Sequence, residues 1–330
     1  MSGSEGRTLF AVRVRRRMQL ADDIIGLELS SLDGAPLPAW AAGAHIDVEL
    51  PNGLLRQYSL CGDGAHTGCY EIGILRDPAS RGGSASAHDD IHEGDEIRIG
   101  APRNLFALRS AQRSLLFAGG IGITPILAMA QVLTRGGADF RMHYCSRTPS
   151  RTAYIDRIRA STFVDRVQFH FDDGAAAQRF DAAAAIGAPD PATHLYVCGP
   201  RGYMDHVIAT ATSLGWRDDH IHFEYFAAVP AEAAAAGEGA GDGHFEIRVA
   251  GRDLVVPVPP GTTAAQALIA HGVPVPLSCE QGICGTCVMR VLDGVPEHRD
   301  LFLSDTEKAA NDRFTPCCSR ARTASLLIDF

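Results

Sequence analysis

The rhythm of apolar and polar positions changes twice along these 330 residues. Up to about residue 108, short runs alternate apolar with polar: "HIDVEL" (45–50), "YEIGIL" (70–75) and "DEIRIG" (95–100), set apart by Gly, Pro and Asp. Period-two alternation between turn residues predicts short strands, and strands so spaced predict a small antiparallel barrel. From about 113 to 228, apolar runs alternate with stretches of helical period. Strands "RSLLFAG", "DFRMHYCS", "RVQFHF" and "HLYVCG" are interleaved with helices "PILAMAQVLTRG", "TAYIDRIRA" and "YMDHVIATATSLG". That order predicts a parallel sheet with helical crossovers. The last stretch, from His244, opens with a predicted hairpin, "HFEIRVAGRDLVVPVP", and a helix, "TAAQALIAHG".

Between the second and third textures lies "VPAEAAAAGEGAGDG" (229–243), with no large apolar residue after Val229. Such a segment cannot bury enough surface to offset its ordering entropy, so it is expected to be a linker. A different segment, 114–134, carries no charge over a length that would suit a membrane helix. Gly119, Gly120 and Gly122, followed by Thr124 and Pro125, punctuate it instead as strand, tight turn and helix.

Composition narrows the class. The chain is 46% apolar and 21% charged, with a net charge of −9, which disfavours nucleic acid as a partner. The first 20 residues hold no apolar core of signal-peptide length, so a cytoplasmic protein without membrane attachment is expected. Nine cysteines in a reducing compartment point to metal binding before disulfides.

Four of those cysteines are patterned. "CEQGICGTC" places Cys279, Cys284 and Cys287 at C-x4-C-x2-C, and Cys317 follows within "FTPCCSRA". This is the plant-type [2Fe–2S] ligand spacing, in which four thiolates hold two soft irons. Gly282 and Gly285 would let the loop close around the cluster. A structural zinc would draw on two short Cys pairs or on histidines, and only one short pair is present. Cys318 competes with Cys317 for the fourth place, though the spacing favours Cys317. Cys61, Cys69 and Cys145 are expected to be small buried residues.

"AGGIGITP" (118–125) follows a predicted strand and opens a predicted helix, where backbone N–H groups and a helix dipole favour a pyrophosphate. Its Gly120, Gly122 and Pro125 depart from the common dinucleotide fingerprint, and a ligand-free turn is the alternative. A second strand end, "YVCGPRGYM", supplies Cys198, Gly199 and Pro200, and two such turns at the carboxyl ends of one sheet strengthen the dinucleotide reading. "RQYSL" (56–60) and "RGGSAS" (81–86) bring Arg, Tyr and Ser beside a Gly-Gly-Ser turn, a combination able to clamp a phosphate, although a solvated strand end explains it as well. His88 and His92 in "HDDIH" are expected on a polar face, and Arg13–Arg17 on a solvated strand.

In order, R-x-Y-S-L, R-G-G-S, G-G-I-G-I-T-P, C-G-P, "HFEYF" and the cysteine loop resemble the phthalate dioxygenase reductase family from about Phe10 to Phe330. "CEQGICGTC" and "HRDLFLSD" are especially similar to its vanillate O-demethylase reductases. The resemblance implies an antiparallel β-barrel flavin domain (1–108), an α/β parallel-sheet NAD domain (109–228), the linker (229–243) and an α+β, β-grasp ferredoxin domain (244–330). It implies that Arg56, Tyr58, Ser59 and Leu60 hold FMN, with FAD the lesser alternative, and that Gly82, Gly83 and Ser84 lie at its phosphate. Gly120, Gly122, Thr124, Gly199 and Pro200 would lie along the nicotinamide dinucleotide, Cys198 near the hydride path, and Phe226 over the flavin. The family favours NADH, while Ser146, Arg147 and Arg151 leave a 2′-phosphate, and hence NADPH, open.

The implied function is the reductase component of a two-component aromatic oxygenase or O-demethylase: NADH to FMN by hydride, FMN to cluster in single steps, cluster to a separate Rieske-type oxygenase. A reductase for a diiron monooxygenase or cytochrome, and a non-catalytic iron–sulfur sensor, are the rivals.

Overall fold

A computed structural model describes residues 8–62, 64–65, 68–78, 82–226 and 243–330. The expected linker, 229–243, lies outside these apart from Gly243. Residues Thr8–Phe226 form one compact unit, and those described from 243 onward belong to a second.

The first unit begins with β1 (Leu9–Ala21), β2 (Ile24–Ser31), β3 (Ala44–Glu49), β4 (Leu55–Ser59) and β5 (Tyr70–Leu75). Helix α1 (Gly83–Asp89), β6 (Glu96–Gly100) and β7 (Arg103–Asn104) complete the stretch. The strands run antiparallel in the order β4-β3-β6-β1-β2-β5, with β7 on β3. A bridge from Leu60 to Ile72 links the end of β4 to β5 and brings the two ends of the sheet together. Alternation then decides what is inside: Val12, Val14, Leu27, Leu29, Ile46, Val48, Ile72, Ile74 and Ile99 form the barrel core.

Strand β8 (Arg113–Gly119), a 3₁₀ turn at Gly120–Gly122 and α2 (Ile123–Arg135) then replace the membrane-like run with strand, turn and helix. Among the described residues no helix is long and apolar enough to cross a membrane. The sheet continues with β9 (Asp139–Ser146), α3 (Ile155–Arg159), β10 (Val167–Phe171), α4 (Ala182–Ile186), β11 (Thr193–Cys198), α5 (Arg201–Ser213) and β12 (Ile221–Glu224). All five strands are parallel, ordered β10-β9-β8-β11-β12. Both faces are covered, as a parallel sheet requires. Leu116 and Ala118 pack with Ile126, Leu127 and Met129 of α2; Leu115 and Phe117 pack with Met204 and Val207 of α5. Ile24, Cys61 and Phe106 join the α2-side core, so barrel and sheet share apolar packing.

Helix α3 starts three residues later than its periodicity predicts. Thr152 turns its hydroxyl onto Thr148 O, and Tyr154, at φ 59°, sends its phenol to within 2.9 Å of Cys61 Sγ.

The second unit has β13 (Phe245–Val249), β14 (Val255–Val258), α6 (Ala264–Ala270), β15 (Met289–Asp293), β16 (Pro296–Glu297), α7 (Asp305–Ala310), β17 (Arg313–Phe314), β18 (Arg320–Ala321) and β19 (Ser325–Asp329). Its sheet runs β14-β13-β19-β15-β17, with β13 and β19 parallel and the predicted hairpin formed by β13 and β14. Helix α6 opens on a capping box: Thr263 Oγ1 accepts from Gln266 N at 3.1 Å, and Gln266 Oε1 accepts from Thr263 N at 3.0 Å. Its Ala264 and Leu268 face the same core as Phe245, Ile247, Phe314 and Ile328.

Candidate functional site

Two glycine turns meet where the strand order reverses. Ala118 of β8 pairs with Cys198 of β11, so the turns that follow both strands leave the sheet side by side, at the crevice where open α/β sheets take their ligands. They touch closely. A Cβ on Gly122 would stand 2.2 Å from Cys198 O, and one on Gly199 would stand 2.9 Å from Gly119 Cα. Only glycine permits that approach. Gly120, at φ +51°, has open space where its side chain would be. Thr124 is spent locally: its hydroxyl donates to Ile121 O at 3.1 Å and closes the turn. Pro200 caps α5 and is exposed. The 13-residue helix α2 carries no acid in its first turn, which leaves its N-terminus electropositive.

Below this crevice, Cys198 is wholly buried and its Sγ donates to Glu224 O at 3.4 Å. Burial, with Glu224 adding to it, holds the thiol well above its usual pKa, so it acts as a neutral packing group. Glu224, the middle residue of "HFEYF", faces His45, which stands in no motif of the sequence. Their side chains are 16% and 4% exposed, and Oε1 lies 3.5 Å from Nδ1. His45 of β3 stands directly across from Ser59 of β4, so this pair joins the barrel to the end of β12. No spacing in the sequence links residues 45 and 224; only the fold does. Phe226, two residues on, is 38% exposed.

On the barrel, Arg56, Tyr58 and Ser59 lie on β4, and Leu60, fully buried, follows. The structure brings "RQYSL" against the Gly-Gly-Ser turn: a Cβ on Gly83 would sit 2.9 Å from Arg56 Nε. Gly82 adopts φ +87°, and its carbonyl accepts from Asn52 Nδ2 at 3.0 Å. Ser84 faces its own loop, where its Oγ accepts from Asp77 N at 3.0 Å. Tyr58 is half-buried against the barrel core, and burial raises its phenol above the usual value.

The four patterned cysteines gather in the second unit. The Cys279 thiol meets those of Cys284 and Cys317, and Cys317 meets Cys287 in turn. These contacts, Cys284 foremost, hold Cys279 well below a free thiol and push Cys284 and Cys317 up. Cys284, Cys287 and Cys317 are buried. The loop is glycine-dependent: Gly282 (φ +73°) would drive a Cβ to 2.4 Å from Cys318 Sγ, and Gly285 (φ +65°) to 2.2 Å from Phe302 Cζ. Among the described residues no three His, Cys, Asp or Glu side chains converge on one metal ion. Cys317 also meets the thiol of Cys318, and a gathered set of thiolates is the donor type that a [2Fe–2S] cluster takes. Cys318 bonds Thr315 Oγ1 at 3.3 Å and packs on Gly282.

Residues 247–322 match the family model of the 2Fe-2S iron-sulfur cluster binding domain. Over 94% of this chain and 96% of its own length, the vanillate O-demethylase oxidoreductase of a Pseudomonas species is 52% identical. Phthalate dioxygenase reductase of Burkholderia cepacia is 37% identical over 96% of each. The chain belongs to the phthalate dioxygenase reductase family. A solved phthalate dioxygenase reductase, described as a modular structure for electron transfer from pyridine nucleotides to [2Fe-2S], superposes with a TM-score of 0.75 at 36% identity, covering 98% of each chain.

Arg13 and Arg16 of β1 pair with Glu96 and Glu28, as a solvated strand would. His88 is half-buried, with its Nε2 3.0 Å from Ile74 O, and so faces the barrel strand in place of an open polar face. Cys61 is buried as expected. Cys69, just before β5, and Cys145, within β9, are only half-buried.

Proposed function

We propose that this chain is the NADH-dependent reductase of an aromatic O-demethylase system, passing electrons to a separate Rieske-type oxygenase that acts on a methoxyaromatic acid such as vanillate. Its 52% identity, over nearly the full length of both chains, to a vanillate O-demethylase oxidoreductase carries the reading. A bound flavin, FMN in this proposal, would supply the conversion of a hydride into single electrons, and a bound [2Fe–2S] cluster their one-electron carriage.

The chain's own residues then have separable tasks. Arg56, beside Gly83, is placed to hold the flavin phosphate, with Tyr58 and Ser59 along the same strand. Gly120, Gly122 and Gly199 open the crevice for the dinucleotide, and buried Cys198 shapes its floor. Phe226, 38% exposed just beyond β12, would cover the flavin ring. Cys279, Cys284, Cys287 and Cys317 would hold the irons.

The choice of NADH has support in the β9 end. Ser146 Oγ is turned inward, 2.5 Å from Thr152 Oγ1, and Arg151 is paired with Asp23. Two of the three groups that would read a 2′-phosphate are therefore engaged within the protein. The test is coupled turnover: purified protein, NADH, vanillate, O2 and a vanillate-demethylating Rieske oxygenase should release formaldehyde and the free phenol. A diiron hydroxylase or cytochrome accepting electrons faster than every Rieske oxygenase tried would overturn the partner assignment.

A further inference from the structure

The segment His298–Leu303 belongs to neither cysteine stretch, yet the fold threads it between them. Leu301 N donates to Gly282 O at 3.0 Å, and a Cβ on Gly282 would meet Asp300 Cα and Cβ at 3.0 Å. The Asp300 side chain has no exposed surface. Its Oδ2 accepts from Leu303 N at 2.8 Å, its Oδ1 accepts from Ser319 Oγ at 3.4 Å, and His298 Nδ1 stands 3.5 Å from Oδ1. Ser319 Oγ lies 2.9 Å from Thr315 Oγ1, so these bonds reach both sides of Cys317. Lys308 brings the nearest ammonium, donating to Asp300 O at 2.9 Å.

A neutral amide could make nearly the same ties, whereas a buried carboxylate is costly to desolvate. What the charge adds is electrostatic. In a low-dielectric surrounding, a fixed negative charge opposes the arrival of an electron nearby. We propose that Asp300 is a positioning residue for the cluster, joining its two ligand segments, and that its buried charge, partly offset by Lys308, holds the cluster's reduction potential down. This rests on the four-cysteine assignment above.

The experiment is a redox titration of the full chain, followed by the paramagnetic signal of the reduced cluster, with the flavin midpoint read in the same sample. Asp300→Asn should retain the cluster, and its midpoint should rise while the flavin midpoint stays. Lys308→Met, on an exposed helix, should move the cluster midpoint the opposite way, and it serves alone should Asp300→Asn fail to hold iron. An unchanged cluster midpoint in Asp300→Asn with full iron content, or in Lys308→Met, would overturn the proposal. A wild-type protein that binds no iron would instead defeat the four-cysteine assignment, so the two failures are distinguishable.

Discussion

Single residues differ in how openly they declare themselves. The cysteines are plain because thiolate chemistry fixes both type and spacing: no other side chain replaces Cys284, and its neighbours must fall within one loop. Cys284→Ser should therefore abolish the reduced-cluster paramagnetic signal while NADH-to-dye reduction continues; an intact signal would refute the ligand assignment. His45 stands in none of the motifs, and Glu224 and Asp300 sit within "HFEYF" and "HRDLFLSD" without a mark of their own, for the opposite reason. A buried histidine or carboxylate is marked by its partner, and the partner of each comes from elsewhere in the fold: Glu224 for His45 and Ser319 for Asp300. Gly122 stands between these cases. Its place in "GGIG" suggested a tight turn, but the reason for glycine there, the Cys198 carbonyl 2.2 Å from where a Cβ would be, is a tertiary contact.

Secondary elements followed the apolar rhythm wherever burial was regular. Strands β8 and β11 and helices α2 and α5 lie where periodicity puts them, within two residues at each end. Helix α3 fell short because side-chain hydroxyls and a left-handed Tyr154 competed with its first turn. Less legible still was the stacking of histidines across neighbouring strands. His143 of β9 lies 3.0 Å from His170 of β10, and His194 of β11 lies 2.6 Å from His222 of β12. Burial first, then the neighbouring imidazole, lowers His143 and His222 to about 4. In the unfolded chain both titrate at about 6.5. The folded form therefore binds fewer protons in that interval, and the stability it holds above pH 6.5 is lost as pH falls towards 4. Thermal unfolding of the Thr8–Phe226 unit should move to lower temperature across this window, and His222→Gln should flatten the fall. A wild-type profile flat from pH 7 to 4 would contradict it.

For the molecule as a whole, three textures in the sequence became an antiparallel barrel, a parallel sheet and a mixed sheet with a cysteine loop. The barrel and parallel sheet share core residues within one unit, which no periodicity within either texture could reveal. The crevice at the β8–β11 reversal, the Arg56–Gly83 contact and the gathered thiols each correspond to one motif of the sequence, and the near-full-length family match supports reading them together. The account's central claim is that a single chain takes paired electrons from a nucleotide and passes them on one by one. Anaerobic titration with NADH, watched in the visible spectrum and by paramagnetic resonance, tests it most directly. Substoichiometric NADH should bleach flavin and iron–sulfur absorption together and raise the signal of a reduced [2Fe–2S] cluster. A reconstituted protein that stays colourless, carries zinc, or is left unreduced by NADH would contradict it.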